Sequence, residues 1–263
     1  MAGKTDNLET RQEFILHRLQ AGGEVTIDEL CTSLKASVAT IRRDLDDLEQ
    51  RSLLRRTHGG AVPIGPLFYE PFKHDPTFQD MLESFAEEKR RIARAAASLV
   101  KIGDTVALSG GTTTTEVARN LKLLSGITII TNTVNVAMEL SSCKGINVVV
   151  TGGQLRGNWF TLVGPLANHA AQTMFADIMF IGVDGIDPKH GLTCVHPSEA
   201  ELLHTLVHHS RQRVVVTDHS KLGRVAKWLL CPATDIHSII TDLGATEEMI
   251  APFQNLGIEV TRV

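Results

Sequence analysis

Two kinds of hydrophobic spacing divide the chain. In residues 86–263 short apolar runs recur: Thr105–Leu108, Ile127–Ile130, Ile146–Val150, Ile178–Val183, Val214–Val216, Ile236–Ile240 and Ile258–Val260. Helical periodicity fills most of the gaps, over Glu87–Val100, Thr114–Leu124, Val134–Ser142, Pro197–His209 and Thr246–Asn255. Strand alternating with helix predicts right-handed crossovers and a mainly parallel sheet. Near-continuous apolar strands are what a sheet covered on both faces requires. Residues 1–62 are instead charged and helical in pattern. Thr10 to Ala21 brings Phe14, Ile15, Leu16 and Leu19 towards one face, and Gly22-Gly23 stops it. Thr26, with Glu29 three residues on, makes a capping box that opens a second helix carrying Ile27, Leu30 and Leu34. Ser37 caps a third, in which Val38, Ile41, Leu45 and Leu48 form one apolar stripe. Leu53 to Val62 reads as two short strands around Gly59-Gly60. Between the two textures stand Pro63, Pro66, Pro71 and Pro76, so residues 63–85 are expected to be a linker. Its aromatics Phe68, Tyr69, Phe72 and Phe78 are expected to rest on other parts of the protein.

Two short helices joined by about three residues suit a helix-turn-helix when the second is small and basic at its exposed start. Ser37, Ala39, Thr40, Arg42 and Arg43 meet that description. Arginine suits phosphate oxygens and guanine edges. The hairpin would then be a wing, placing Arg55, Arg56, His58 and Gly59 against the DNA backbone or minor groove. Net charge does not decide the matter. Residues 1–62 carry 9 Lys and Arg against 10 Asp and Glu, so only clustering helps: Arg42, Arg43, Arg51, Arg55, Arg56 and His58 fall within 17 positions. The competing reading is a three-helix domain with a solvated charged face.

In the second region, small and polar residues collect just past the strand ends. They are Ser109-Gly110-Gly111-Thr112-Thr113, Thr131-Asn132, Gly152-Gly153, Asp184-Gly185 and Asp218-His219-Ser220-Lys221. Ligands of open α/β sheets bind at the carboxyl ends of strands. The first loop offers backbone amides, hydroxyls and a helix N-terminus, a combination that favours a phosphate, and Lys221 adds a cation. Asp184, Asp218, Glu199 and Asn132 could accept sugar hydroxyls. Each loop alone is also an ordinary strand-to-helix turn; their shared position is the stronger argument. Neither nucleotide-binding glycine pattern is present, so no dinucleotide or nucleoside-triphosphate site is expected.

Composition removes other classes. With 26 Lys and Arg against 30 Asp and Glu, the net charge of −4 excludes a uniformly basic nucleic-acid coat protein. No apolar run approaches the ~18 residues of a membrane span. The cysteines Cys31, Cys143, Cys194 and Cys231 form no C-x-x-C pair, which argues against zinc ribbons and disulfide frameworks and for a reducing compartment, the cytoplasm. His204 and His208 stand one helical turn apart, but Thr205 occupies the position where a zinc protease needs Glu. No metal and no cofactor are expected. Trp159 and Phe160 are equally suited to lidding a pocket and to packing.

Thr40-Ile41-Arg42-Arg43-Asp44-Leu45, followed by Arg56-x-His58-Gly59-Gly60-Ala61, closely resembles the winged helix-turn-helix of DeoR-type bacterial regulators. Where that family commonly has Gly-Val before the serine, this chain has Lys35-Ala36. The resemblance continues through Ser109-Gly110-Gly111-Thr112-Thr113, Gly182-x-Asp184-Gly185, Gly191-Leu192-Thr193 and Asp218-x-Ser220-Lys221. It implies a C-terminal domain related to ribose-5-phosphate isomerase that binds phosphorylated sugars. It also implies a repressor of carbohydrate-catabolism genes. The expectation is therefore a winged helix-turn-helix domain (1–62), a linker and an α/β effector domain (86–263). The protein would be a homodimer or homotetramer, bind double-stranded operator DNA and a phosphorylated sugar, touch no membrane, and not be an enzyme. The rival is a sugar-phosphate isomerase or deaminase with Asp184 or Glu199 as base. Against it, the glycine-rich stretch and Arg-Glu-Lys of the related isomerases have no counterpart here.

Overall fold

The computed structural model describes residues 11–19 (13 and 17 excepted), 24–50, 54–63, 81 and 83–263. The chain divides into two units, Met1–Glu70 and Pro71–Val263. The expected linker aromatics and the Gly22-Gly23 stop lie outside the described residues.

In the N-terminal unit, described positions from 11 to 19 are helical. Then come β1 (Val25–Thr26), α1 (Ile27–Leu34), α2 (Val38–Gln50), β2 (Leu54–Arg56) and β3 (Gly60–Pro63). The capping box at the start of α1 is formed: Glu29 N–H donates to Thr26 Oγ1 at 3.3 Å, and Thr26 N–H to Glu29 Oε2 at 3.1 Å. Ile15, Leu19, Val25, Leu30, Ile41, Leu45, Leu48 and Leu54 make one buried core. Val38 does not join it. It is 43% exposed, so the buried stripe of α2 begins at Ile41. The opposite edge of α2 is fixed by charge. Asp44 is buried and receives the guanidinium of Arg11, with Nη2 to Oδ1 at 2.8 Å.

The wing differs from expectation in two ways. Gly60 lies in β3 and not in the turn; a Cβ there would stand 1.9 Å from the carbonyl oxygen of Val25, so only glycine permits β3 to pair with β1. The Arg56 side chain is turned onto α2, where its guanidinium pairs with Asp46, and its backbone N–H donates to Glu49 Oε1 at 2.8 Å. Arg56 thus fastens wing to helix, a role its place in the hairpin does not announce.

The C-terminal unit is built on a seven-stranded, wholly parallel sheet in the order β15-β14-β12-β9-β4-β5-β6. Its strands are β4 (Thr105–Leu108), β5 (Ile127–Thr131), β6 (Ile146–Val150), β9 (Ala176–Ile181), β12 (Ser210–Val216), β14 (Ser238–Thr241) and β15 (Glu259–Arg262). Successive residues feed opposite cores, as the period of two requires. Val106, Leu108, Ile178, Phe180, Val214 and Val216 meet α3 (Ala86–Ala97), α4 (Thr112–Leu121) and α5 (Val134–Leu140). Ala107, Met179, Ile181, Val215 and Ile239 meet α6 (Pro165–Ala171), α7 (Pro197–His208) and α8 (Glu247–Gln254). Two small antiparallel additions were not expected: β7 (Gln154–Arg156) with β8 (Thr161–Val163), and β10 (Gly185–Asp187) with β11 (Gly191–Cys194) and β13 (Trp228–Cys231). Among the described residues no helix is long and apolar enough to cross a membrane.

Lys35, which ends α1, adopts the left-handed conformation with φ 48°. That geometry costs an L-residue roughly 1–2 kcal/mol, and glycine's greater freedom in the unfolded chain returns roughly 0.4–1 kcal/mol of this. Lys35→Gly is therefore expected to stabilise the N-terminal unit by about 0.5–1 kcal/mol, seen as a higher urea midpoint for that unit. An unchanged or lower midpoint would contradict strain at this turn.

Candidate functional site

β4 and β9 lie side by side, yet β4 continues through α4 to β5 on one flank while β12, β14 and β15 extend the other. Such a reversal opens a crevice at the carboxyl ends of the strands. A cavity of about 130 Å³ lies there. The loop after β4 contributes Gly110 to Thr113, the loop after β9 contributes Gly182 to Asp184, and the end of β12 with its loop contributes Val216 to Asp218, Ser220 and Lys221.

Glycine shapes the first loop. A Cβ on Gly110 would stand 2.7 Å from Thr161 Cγ2, and Gly111, the N-cap of α4, has φ 128°. The hydroxyls of Thr114 and Thr115 return to the Gly111 carbonyl at 3.0 and 2.7 Å. Those of Thr112 and Thr113 have no such bond among the described residues and border the cavity. The first turn of α4 holds no acidic residue and no side chain caps it. Its N–H groups and the positive end of its dipole are therefore unopposed, the property that draws an anion.

Charged groups fall into two sets. In the first, Lys89 interacts electrostatically with both Lys221 and Asp218. Asp218 is buried and accepts from Ser220 N–H at 3.1 Å, so it caps the short turn His219–Lys221 as well as lining the cavity. Lys89 is buried, and burial pushes its ammonium below the usual lysine range; Lys221 adds to this and Asp218 opposes it. The second set is Arg156, Glu199 and Asp184. Arg156 Nη1 donates to Glu199 Oε2 at 2.7 Å. Burial raises the Glu199 carboxyl above its usual range against the pull of Arg156, and Asp184 raises it further. Asp184 Oδ2 accepts from Val195 N–H at 2.8 Å. The first set carries a net positive charge and the second a net negative one.

Of the residues expected at a ligand site, Gly110, Gly111, Thr112, Thr113, Asp184, Glu199, Asp218 and Lys221 converge here. Five do not line the cavity. Ser109 accepts from Gly182 N–H at 2.9 Å and ties the first two loops together. Thr131 Oγ1 donates to the Leu108 carbonyl at 2.9 Å, and Asn132 Nδ2 reaches the Leu162 carbonyl at 3.4 Å, so both serve the frame. Gly152 and Gly153 lie between β6 and β7, where a Cβ on Gly153 would stand 2.7 Å from the Val163 carbonyl oxygen. Lys89, Arg156, Thr161, Cys194 and Ser84 line the cavity without having been expected. Trp159 borders it, whereas Phe160 is buried. Burial pushes the Cys194 thiol up to about 11, so it is no nucleophile. The rings of His204 and His208 lie 4.3 Å apart, but both Nδ1 atoms face main-chain carbonyls, and no group of three metal-binding side chains exists among the described residues.

In the N-terminal unit, Ala39, Arg42, Arg43, Arg55, His58 and Gly59 are exposed. Ser37 Oγ accepts from Thr40 N–H at 3.2 Å and shares a 2.9 Å hydrogen bond with Thr40 Oγ1, so the Ser37 hydroxyl caps α2 and the Thr40 hydroxyl braces it. The Gly59 carbonyl accepts from Ile27 N–H at 2.9 Å and anchors the wing tip to α1.

Residues 11–65 match the DeoR-like helix-turn-helix domain, and residues 84–243 match the DeoR C-terminal sensor domain. Curated relatives match over nearly the whole chain. The HTH-type transcriptional regulator GolR of Listeria innocua is 34% identical, over 95% of this chain and 96% of its own. The putative aga operon transcriptional repressor of Escherichia coli O157:H7 is 32% identical, over 96% and 93%. The HTH-type transcriptional repressor GlcR of Bacillus subtilis is 33% identical, over 96% and 95%. Among solved structures, ribose 5-phosphate isomerase A of Methanocaldococcus jannaschii aligns with 52% of this chain and 54% of its own, at 19% identity and a TM-score of 0.38. A helix-turn-helix with its recognition face exposed, followed by a sensor domain with an anion-seeking cavity, accounts for both matches: the chain belongs to the DeoR family of transcriptional regulators.

Proposed function

We propose that the protein is a cytoplasmic repressor of carbohydrate-catabolism genes whose operator occupancy is modulated by a phosphorylated sugar in the cavity after β4, β9 and β12. The observation that carries this reading is the polarity of the cavity. The open N-terminus of α4, with Lys221 beside Asp218 and Lys89, offers donors to a phosphate. Glu199 and Asp184 offer acceptors to hydroxyls, and Arg156 orients Glu199. Charge-assisted bonds to phosphate are roughly twice as strong as neutral ones, so the phosphate supplies affinity and the hydroxyl end discriminates. The relatives named as repressors support the regulatory half of the reading. A single winged helix makes few base contacts. A homodimer or homotetramer that spans inverted half-sites would supply the rest through effective concentration.

Arg42→Ala and Arg43→Ala are each expected to weaken operator binding by ~1–3 kcal/mol in gel-shift titrations and to leave folding intact, because both side chains are exposed. Wild-type affinity in both variants would refute the placement of α2 on DNA.

Calorimetry is expected to show tighter binding of a phosphorylated sugar than of the same sugar unphosphorylated. Lys221→Ala should weaken the former and leave effector-free operator binding near wild type. Thr113→Val should act in the same direction but less, losing one hydroxyl and no charge. Equal affinity for both sugars would sink the phosphate assignment.

Purified protein is expected to leave ribose, fructose and hexosamine phosphates unchanged, since Asp184 and Glu199 are held by Val195 N–H and Arg156. Turnover that Asp184→Asn abolishes would replace the sensor reading with the enzyme one.

A further inference from the structure

Ser84 and Phe85, with Met81, cross one side of the cavity just ahead of α3, and the residues that precede them in sequence join the sensor unit to the DNA-binding unit. Besides the first hydrogen bond of α3, from Lys89 N–H to the Phe85 carbonyl at 2.9 Å, two side-chain contacts tie this strap to the cavity. Lys89, buried at 4% exposure, donates through Nζ to the carbonyls of Ser84, at 2.7 Å, and of Met81. The ring of Phe85 meets the ring of His219 edge-on, with centroids 4.9 Å apart. Neither contact is independent of the cavity. Lys89 lines it. His219 sits between Asp218 and Ser220-Lys221, which line it too.

His219 is itself fixed. Its N–H donates to Asp242 Oδ1 at 2.7 Å, and its Nδ1 lies 2.8 Å from Asp242 Oδ2. Gly244 leaves room for the ring, since a Cβ there would come within 2.5 Å of His219 Nδ1. Phe85, in contrast, is strained, with φ 54°, a conformation that L-residues adopt only when their surroundings hold them there. The strap is thus a strained segment on a rigid seat.

We propose that an anionic ligand in the cavity locks this strap through Lys89, with His219 as the seat that positions Phe85. The inference rests on the reading of the cavity as a phosphate site. An ammonium has three donors, and two already hold strap carbonyls. A phosphate between α4 and Lys221 takes the third. A charge-assisted hydrogen bond then immobilises the ammonium, and the two carbonyls bound to it lose freedom with it. The dianion also offsets the burial that pushes the Lys89 ammonium down. Ligand occupancy is converted in this way into order in the segment just ahead of α3. Lys89 and His219 act here as positioning residues.

Hydrogen–deuterium exchange on the full chain tests this, with inorganic phosphate compared against chloride at equal ionic strength. In wild type, phosphate is expected to slow the peptide containing residues 84–88 by about 5-fold or more, alongside residues 111–114. In Lys89→Met the slowing at 84–88 disappears. In Phe85→Gly or His219→Ser, residues 111–114 stay protected while the effect at 84–88 shrinks. Protection at 111–114 without any change at 84–88 in wild type overturns the strap alone, and equal slowing at 84–88 in Lys89→Met does the same. No protection at 111–114 in wild type overturns the strap and the phosphate reading together. Should Lys89→Met fail to fold, the wild-type measurement and Phe85→Gly still decide the question.

Discussion

The adjacency of β4 and β9 in a wholly parallel sheet is the constraint from which the sensor unit follows. Every strand of a parallel sheet ends at the same edge, so every loop that carries polar chemistry is delivered to one side. Where the connections of two neighbours diverge, no crossover helix can cover the gap, and the backbone N–H groups of the loops face a crevice. Ser109 fastens the two loops across this gap through Gly182 N–H, and Gly182 lets them approach, since a Cβ there would stand 2.8 Å from the Gly110 carbonyl oxygen. The cavity is thus a property of strand order first and of side chains second.

Much of this frame is legible in the sequence because burial on both faces leaves a simple signature. All seven apolar runs became strands of the one sheet. The five short antiparallel strands left no comparable signature: each has three or four residues, too few to show a period, and forms only against a neighbour already in place. The site was legible in proportion to how far its chemistry is local. The glycine-threonine loop and Asp218 to Lys221 announce themselves as unusual runs. Lys89 does not, because it sits in Ala86-Glu87-Glu88-Lys89-Arg90-Arg91, a stretch that reads as a solvated helix face. Only the fold shows that its side chain turns inward to Met81 and Ser84. Arg156 is hidden for a similar reason, since its partner Glu199 lies 43 residues away.

Two ion pairs of the N-terminal unit escape the sequence for one reason. Reading exposed chemistry from helical spacing assumes that a charged side chain stays in solvent. Arg56 and Asp44 break the assumption, each finding a counter-charge on another element: Asp46 for the first and Arg11 for the second. The pairing of Arg56 with Asp46 holds the wing against α2, so the exposed Arg42 and Arg43 belong to a helix whose neighbours are fixed. A rigid reading helix with few free cations suits recognition through particular contacts more than through general charge, in keeping with the near-balance of charges in residues 1–62.

A packed sheet with a core on each face cannot yield gradually to a ligand; close-packed interiors shift between discrete arrangements or not at all. The wall of the cavity is therefore an unsuitable carrier of a signal. What remains adjustable is the set of groups that touch the cavity but do not belong to the sheet. The loop after β12 is anchored at His219 by Asp242, whose carboxylate, with burial working against it, is held below its usual range by hydrogen bonds from His219 and Gly244. Glu199 is held by Arg156. The segment ahead of α3 is held at its described residues by the Lys89 ammonium on two carbonyls, by Lys89 N–H on the Phe85 carbonyl and by one ring contact. Free energy gained in the cavity is most readily expressed where the fewest native bonds oppose it. On that ground the proposed strap ahead of α3, held by the Lys89 hydrogen bonds and one ring contact, is the part of the rim best suited to carry a signal.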